Sequence, residues 1–123
     1  MGIDIYMSHK LIDKEAQFTG FDVTAGRTGY LREAYHGGPY ATQVLVPEAF
    51  GADYESGGFP FSARVLRARL PETLLAVAER GRRVYGENYD EGHPILRSFI
   101  EFVELAERVE AESGVPVRIY ASY

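Results

Sequence analysis

Val117-Arg118-Ile119-Tyr120-Ala121-Ser122 alternates apolar and polar side chains, and Ile3-Asp4-Ile5-Tyr6-Met7-Ser8 does the same. Successive side chains of a strand point to opposite faces, so each segment carries one apolar face and one polar face. Ile3, Ile5 and Met7 share one side of the first segment, and Val117, Ile119 and Ala121 share one side of the second. A common cover over both apolar faces makes the two segments strands of one sheet. Asp4 and Arg118 can then meet on the polar face, flanked by Tyr6 and Tyr120, in a cross-strand ion pair worth a few tenths to about 1 kcal/mol.

Immediately before the last strand, Ile95, Phe99, Phe102, Ala106 and Val109 recur at helical spacing, with Pro94 fit for a first turn and Gly114 for a C-cap. The opposite stripe holds Arg97, Glu101, Glu104 and Arg108, whose four-apart pairs Arg97/Glu101 and Glu104/Arg108 support a solvated face. A second helix is expected from Pro71 to about Tyr85, with Leu74, Leu75, Val77 and Ala78 inward and Glu79/Arg83 four apart. Ser62 suits the N-cap of a separate short helix carrying Val65 and Leu66 and ending at Leu70, since a residue before proline disfavours the helical region. The expected fold is therefore α+β: a small sheet containing the N- and C-terminal strands, packed on one face by two main helices at about 71–85 and 94–113.

The first half is less periodic. Asp13 can cap a short helix through Phe18, Val44-Leu45-Val46 before Pro47 fits either a short strand or a helix end, and Gly51 to Pro60, with its Gly57-Gly58 pair, reads as a loop or lid. A length of 123 residues corresponds to a single globular domain over residues 1–123. No window approaches the roughly 20 apolar residues of a membrane span, and the acidic, short-alternating start has no secretory pattern. The chain has no cysteine, which excludes disulfides, thiolate metal sites and cysteine nucleophiles and makes the cytoplasm the expected compartment. A net charge of −5 speaks against duplex nucleic acid as partner. Charge is nonetheless uneven: Arg64, Arg67, Arg69, Arg80, Arg82 and Arg83 precede an acidic C-terminal third. Pairing between neighbouring helices accounts for this, with anion recognition as the alternative.

Gly29-Tyr30-Leu31-Arg32-Glu33-Ala34-Tyr35-His36-Gly37-Gly38-Pro39-Tyr40 concentrates the residue types that make sites. Glu33 and His36 form a Glu-x-x-His step, which on a helix aims a carboxylate and an imidazole at a metal. The Glu-x-x-His step itself is unrepeated, because Tyr6 stands three residues before His9 and Asp90, not a glutamate, before His93, so no metal and no cofactor is expected. His36 titrates in the right range for a general base, but no Gly-x-Ser-x-Gly elbow or second placed carboxylate accompanies it. Lys10 and Lys14 are the only lysines, so there is no Gly-Lys-Ser/Thr phosphate loop, and Gly26-Arg27-Thr28-Gly29 is too short for a dinucleotide fingerprint.

Binding remains. Arg27 or Arg32 can clamp a phosphate or carboxylate while Tyr30, Tyr35 or Tyr40 stacks on a ring. The leading expectation is a non-catalytic module binding a small anionic or aromatic ligand through Arg27, Tyr30, Arg32, Tyr35, His36 and Tyr40. The alternatives are a protein-interaction or homo-oligomeric module using the same tyrosine-rich surface and a small hydrolase or lyase using His36. The bland reading is that the tyrosines are half buried, Arg32 pairs with Glu33 or another acid, and Gly37-Gly38-Pro39 only turns the chain.

The run Gly29 to Thr42, the segment Phe102-Val103-Glu104-Leu105-Ala106-Glu107-Arg108 and the ending Arg118-Ile119-Tyr120-Ala121-Ser122-Tyr123 resemble a group of short bacterial and phage proteins with no assigned function. The resemblance implies a cytoplasmic, prokaryotic or phage setting and brings no catalytic residue.

Overall fold

The computed structural model describes residues 2–18, 22–34, 39–52, 55–86 and 94–123. Strand β1 (Gly2–Ser8) alternates as its sequence dictates, with Ile3, Ile5 and Met7 at most 3% exposed. It pairs antiparallel with β4 (Val117–Ser122) on one side and β2 (Tyr30–Ala34) on the other. β3 (Phe59–Phe61) adds to the free edge of β4, giving the order β2-β1-β4-β3. The terminal strands are thus neighbours in an α+β fold, with Ile5 and Ile119 both fully buried.

Two long helices cover the apolar face: α2 (Ala63–Tyr85) and α3 (Pro94–Ser113), preceded by the short α1 (Ala41–Leu45). Phe99, Phe102, Ala106 and Val109 of α3 are buried as their spacing requires, and Ile95 is half-buried against the same core. Arg97 and Glu101 pair at 3.5 Å, and Gly114 follows α3 at φ +73°. No helix among the described residues is long and apolar enough to cross a membrane.

The helix expected to start at Pro71 is instead the second part of one 23-residue helix, with Pro71 inside it. Ser62 caps it as expected, its hydroxyl accepting from the Val65 N–H at 3.2 Å. An interior proline costs about 3 kcal/mol and leaves the carbonyl four residues back unclaimed. Here that carbonyl belongs to exposed Arg67, and Pro71 itself faces water. The stripe Ala63, Leu66, Leu70, Thr73 and Val77 is buried on both sides of the proline; burying one leucine is worth about 1.5–3 kcal/mol, so the packing outweighs the break. The same phase turns Leu75 outward at 73% exposure, and puts Thr73 and Arg80, not Leu75, on the inner face.

Two further expectations change. Gly51 to Pro60 does not stay a loop to its end, because Phe59–Phe61 forms an edge strand, where a proline is tolerated. Gly58 is required there: φ is +86°, and a Cβ would sit 2.8 Å from the Ile119 carbonyl oxygen. The register sets Asp4 opposite Ser122 and Arg118 opposite Ser8, so the expected Asp4/Arg118 pair does not form. Arg118 instead donates to the carbonyls of Gly57 and Gly58, at 3.2 and 2.7 Å. Val44-Leu45-Val46 ends a helix, and Asp13 caps a single 3-10 turn, Glu15–Gln17, through the Glu15 N–H.

Candidate functional site

The solvent-side face of the sheet is built in rows. Tyr30, Tyr6 and Tyr120 stand side by side across β2, β1 and β4, with ring centroids 5.3 and 5.2 Å apart. Phe18 lies over Tyr6 at 5.2 Å, and the Lys14 ammonium sits 5.5 Å from the Tyr120 ring centroid. The strap carrying both is tied down by Gln17, whose buried amide donates to the Met7 and Thr28 carbonyls at 2.8 and 2.9 Å.

The adjoining row is polar. Arg32 donates to Asp4 Oδ1 at 2.6 Å, and the Tyr30 hydroxyl donates to the same oxygen at 2.5 Å. Burial, reinforced by this hydrogen bond to Asp4, pushes the Tyr30 phenol well above its ordinary value. Burial would draw the Arg32 pKa down, but its contacts with Asp4 and Tyr30 outweigh this and raise it. Asp4 is thereby neutralised by a guanidinium on its own face.

Beside these rows opens a groove of about 670 Å³ lined by Tyr6, Phe18, Phe50, Tyr120 and Tyr123. Phe18 and Tyr123 stand at its edges, 57% and 68% exposed. Tyr123 is anchored to the opposite wall, its ring 5.3 Å from Phe50 and its hydroxyl donating to the Phe50 carbonyl at 2.7 Å. The volume falls in the range of small-molecule clefts, and the five aromatic rings share the lining with Gly51, Ala52, Ala121 and Ser122.

The other face of β2 holds a different cluster. Glu33 accepts from Arg80 Nε at 2.8 Å, both side chains being at most 7% exposed. Its two oxygens also receive the Ala41 and Thr42 N–H groups and the Thr42 hydroxyl at 2.6–2.9 Å, capping the start of α1. Arg80 donates to the Ala34 carbonyl at 2.8 Å and lies 4.6 Å from the Tyr40 ring centroid. A cavity of about 70 Å³ beside the pair has room for roughly two water molecules. Every charge here is matched by a structural partner, so the cluster ties β2, α1 and α2 together.

The stretch singled out in the sequence is thus divided. Tyr30 and Arg32 support the outer face, whereas Tyr40 belongs to the inner Glu33–Arg80 cluster, so Arg32 and Tyr40 do not meet. Arg27 lies elsewhere, exposed on the 3-10 turn Ala25–Thr28. Tyr35 and His36 lie outside the described residues. Glu33 sits on strand β2, not on a helix, and the histidine of the Glu-x-x-His step lies outside the described residues. No group of metal-ligating side chains occurs among the described residues.

Among the described residues, three of the six arginines in the arginine-rich segment find acids. Arg67 pairs with Glu107 across α2 and α3, Arg69 forks onto both Glu48 oxygens at 2.8 Å, and Arg80 takes Glu33. His9 and Ser113 form an imidazole–hydroxyl contact at 3.1 Å with the wrong polarity for a nucleophile. His9 Nδ1 accepts the Leu11 N–H at 3.0 Å, so in the neutral ring Nε2 bears the hydrogen and donates to Ser113, whose own hydroxyl is directed to the Val109 carbonyl.

None of the groove's five aromatic residues is among the site residues expected from the sequence: the alternation makes Tyr6 and Tyr120 only flanking side chains on the polar sheet face, and gives Phe18, Phe50 and Tyr123 no site role. Each of the last three contributes through a contact distant in sequence, and neither phenylalanine lies in a periodic segment that would have assigned it a face. No family model matches the chain, and no curated protein or solved structure is similar to it.

Proposed function

We propose that the chain is a non-catalytic module that binds a planar aromatic ligand bearing an anionic group in the groove on the outer sheet face. The observation that carries this reading is the groove's lining, five aromatic side chains with an ammonium beside one of them. Phe18 offers an exposed ring face beside the buried Tyr120, and Lys14, 5.5 Å from the Tyr120 ring, is the cation on that side of the sheet for a carboxylate or phosphate on the same ligand. Asp4 does not oppose this, because Arg32 holds its charge.

Ligand-observed NMR with phenylacetate, benzyl alcohol and cyclohexylacetate tests the proposal. Phenylacetate is expected to bind, with the neutral and the non-planar compounds weaker. Phe18→Ala removes an exposed stacking face and weakens phenylacetate by about 2–10-fold, the range of an aromatic pair. Equal binding of all three compounds, or no effect of Phe18→Ala, contradicts the reading.

A protein partner on the same surface is the second reading, favoured by the exposure of Phe18 and Tyr123 at the rim. Self-association that Phe18→Ala abolishes, in a protein that ignores all three compounds, supports it instead.

A further inference from the structure

Arg27 and Arg108 line one depression of about 180 Å³ between the strap and α3, together with Leu11, Ile12, Ala16 and Leu105. The two guanidiniums arrive from separate elements, Arg27 from the 3-10 turn Ala25–Thr28 and Arg108 from α3. Arg32, Arg67, Arg69, Arg80 and Arg97 all hold carboxylates. Arg27 and Arg108 hold no ion pair or hydrogen bond among the described residues.

Arg64 and Arg82 hold no ion pair among the described residues either; what sets Arg27 and Arg108 apart is that they share one depression. The acids nearest in sequence close no ion pair with either arginine. Asp13, also in the lining, accepts the Glu15 N–H. Asp22 is held by the Thr24 N–H and hydroxyl at 2.8 and 2.6 Å and feels Arg27 only through longer-range charge. Glu104, four residues before Arg108 and its expected partner, acts on Arg67 across the helix pair.

Beside the cations, Asp13 and Thr28, the lining has an apolar part: Leu105 is 6% exposed, and Leu11 is left 49% exposed. The space corresponds to about six waters at roughly 30 Å³ each, enough for a carboxylate and a few methylenes.

We infer that this depression binds a small amphiphilic anion, a carboxylate on a short apolar tail, with Arg27 and Arg108 on the head group and Leu11 and Leu105 along the tail. The inference is independent of the aromatic groove, which shares no lining residue with it.

Calorimetric titration with hexanoate, acetate and hexanol tests it on the intact chain. Hexanoate is expected to bind saturably, with acetate at least about tenfold weaker for want of a tail and hexanol showing no binding. Arg27→Gln and Arg108→Gln each weaken hexanoate roughly tenfold or more, as loss of a charge-assisted hydrogen bond does. Both residues are exposed, so the melting transition is unchanged. Leu11→Ser at the rim provides an independent variant that weakens hexanoate without weakening acetate. Phe18→Ala leaves hexanoate binding as it was, which separates this site from the groove. Absence of saturable binding, equal affinity for hexanoate and hexanol, or hexanoate binding that survives both arginine substitutions would overturn the inference. A loss caused by Phe18→Ala alone would overturn it too, by moving the anion to the groove.

Discussion

Arg32 and Glu33 are adjacent in the chain and serve opposite faces of the sheet: Arg32 holds Asp4 at 2.6 Å among the tyrosines, and Glu33 holds Arg80 at 2.8 Å under α2. This division makes β2 a hinge between two polar systems. The inner one fixes the helices to the sheet, and the outer one supports the aromatic surface.

Breaking the inner pair leaves an uncompensated charge among buried groups. Glu33→Ala should therefore destabilise by about 3–5 kcal/mol, and a double variant Glu33→Leu/Arg80→Met should recover the part due to the unpaired charge but not the part due to the uncapped Ala41 and Thr42 N–H groups. Urea denaturation of the three proteins decides it. A single variant within about 0.5 kcal/mol of the parent would mean that the pair is not buried.

The terminal strands were legible in the sequence because each buries one face, and the alternation of Ile3, Ile5 and Met7 has no exception. β2 was not, because its pattern is inverted at two positions. Polar Glu33 points inward beside Leu31, where its charge is matched, and aromatic Tyr30 points outward, where its hydroxyl reaches Asp4. The continuous α2 was hidden by Pro71, whose local signal is a stop and whose effect is overcome only by packing distant in sequence. The groove was half legible: Tyr6 and Tyr120 were readable as outer-face neighbours, but nothing local brings Phe18 or Phe50 to them.

The orientation of α2 predicts unequal costs for two similar truncations. Leu66→Ala, at a fully buried position, should cost about 2–5 kcal/mol, whereas Leu75→Ala, at a position 73% exposed, should stay within about 0.5 kcal/mol. Equal shifts in the denaturation midpoint would contradict the helix phase.

Pro71 gives a test of the opposite sign. Because it lies on the water-facing side of an unbroken helix, Pro71→Ala should stabilise the protein by about 1–3 kcal/mol, the helix gain being partly offset by a freer unfolded chain. A drop in melting temperature would mean that the proline marks a real boundary between two helices.

Acid should weaken the protein through Glu48 first. The hydrogen bonds from Arg69 hold its carboxyl below the ordinary value of 4.5, and Arg67 does the same for Glu107. A depressed carboxylate stabilises the fold above its unfolded pKa, and that contribution is lost as pH falls through the folded value. Melting curves should therefore drop below about pH 4.5, with Glu48→Gln flattening the decline. The Glu107 pair is more exposed and should matter less. An identical acid limb in Glu48→Gln would exclude this origin.

Amide chemical-shift mapping during a phenylacetate titration tests binding in the aromatic groove. Saturable shifts are expected at Tyr6, Lys14, Phe18, Phe50, Tyr120 and Tyr123, with Glu33, Thr42 and Arg80 unmoved. Shifts centred on the Glu33–Arg80 cluster, or none that saturate, would contradict it.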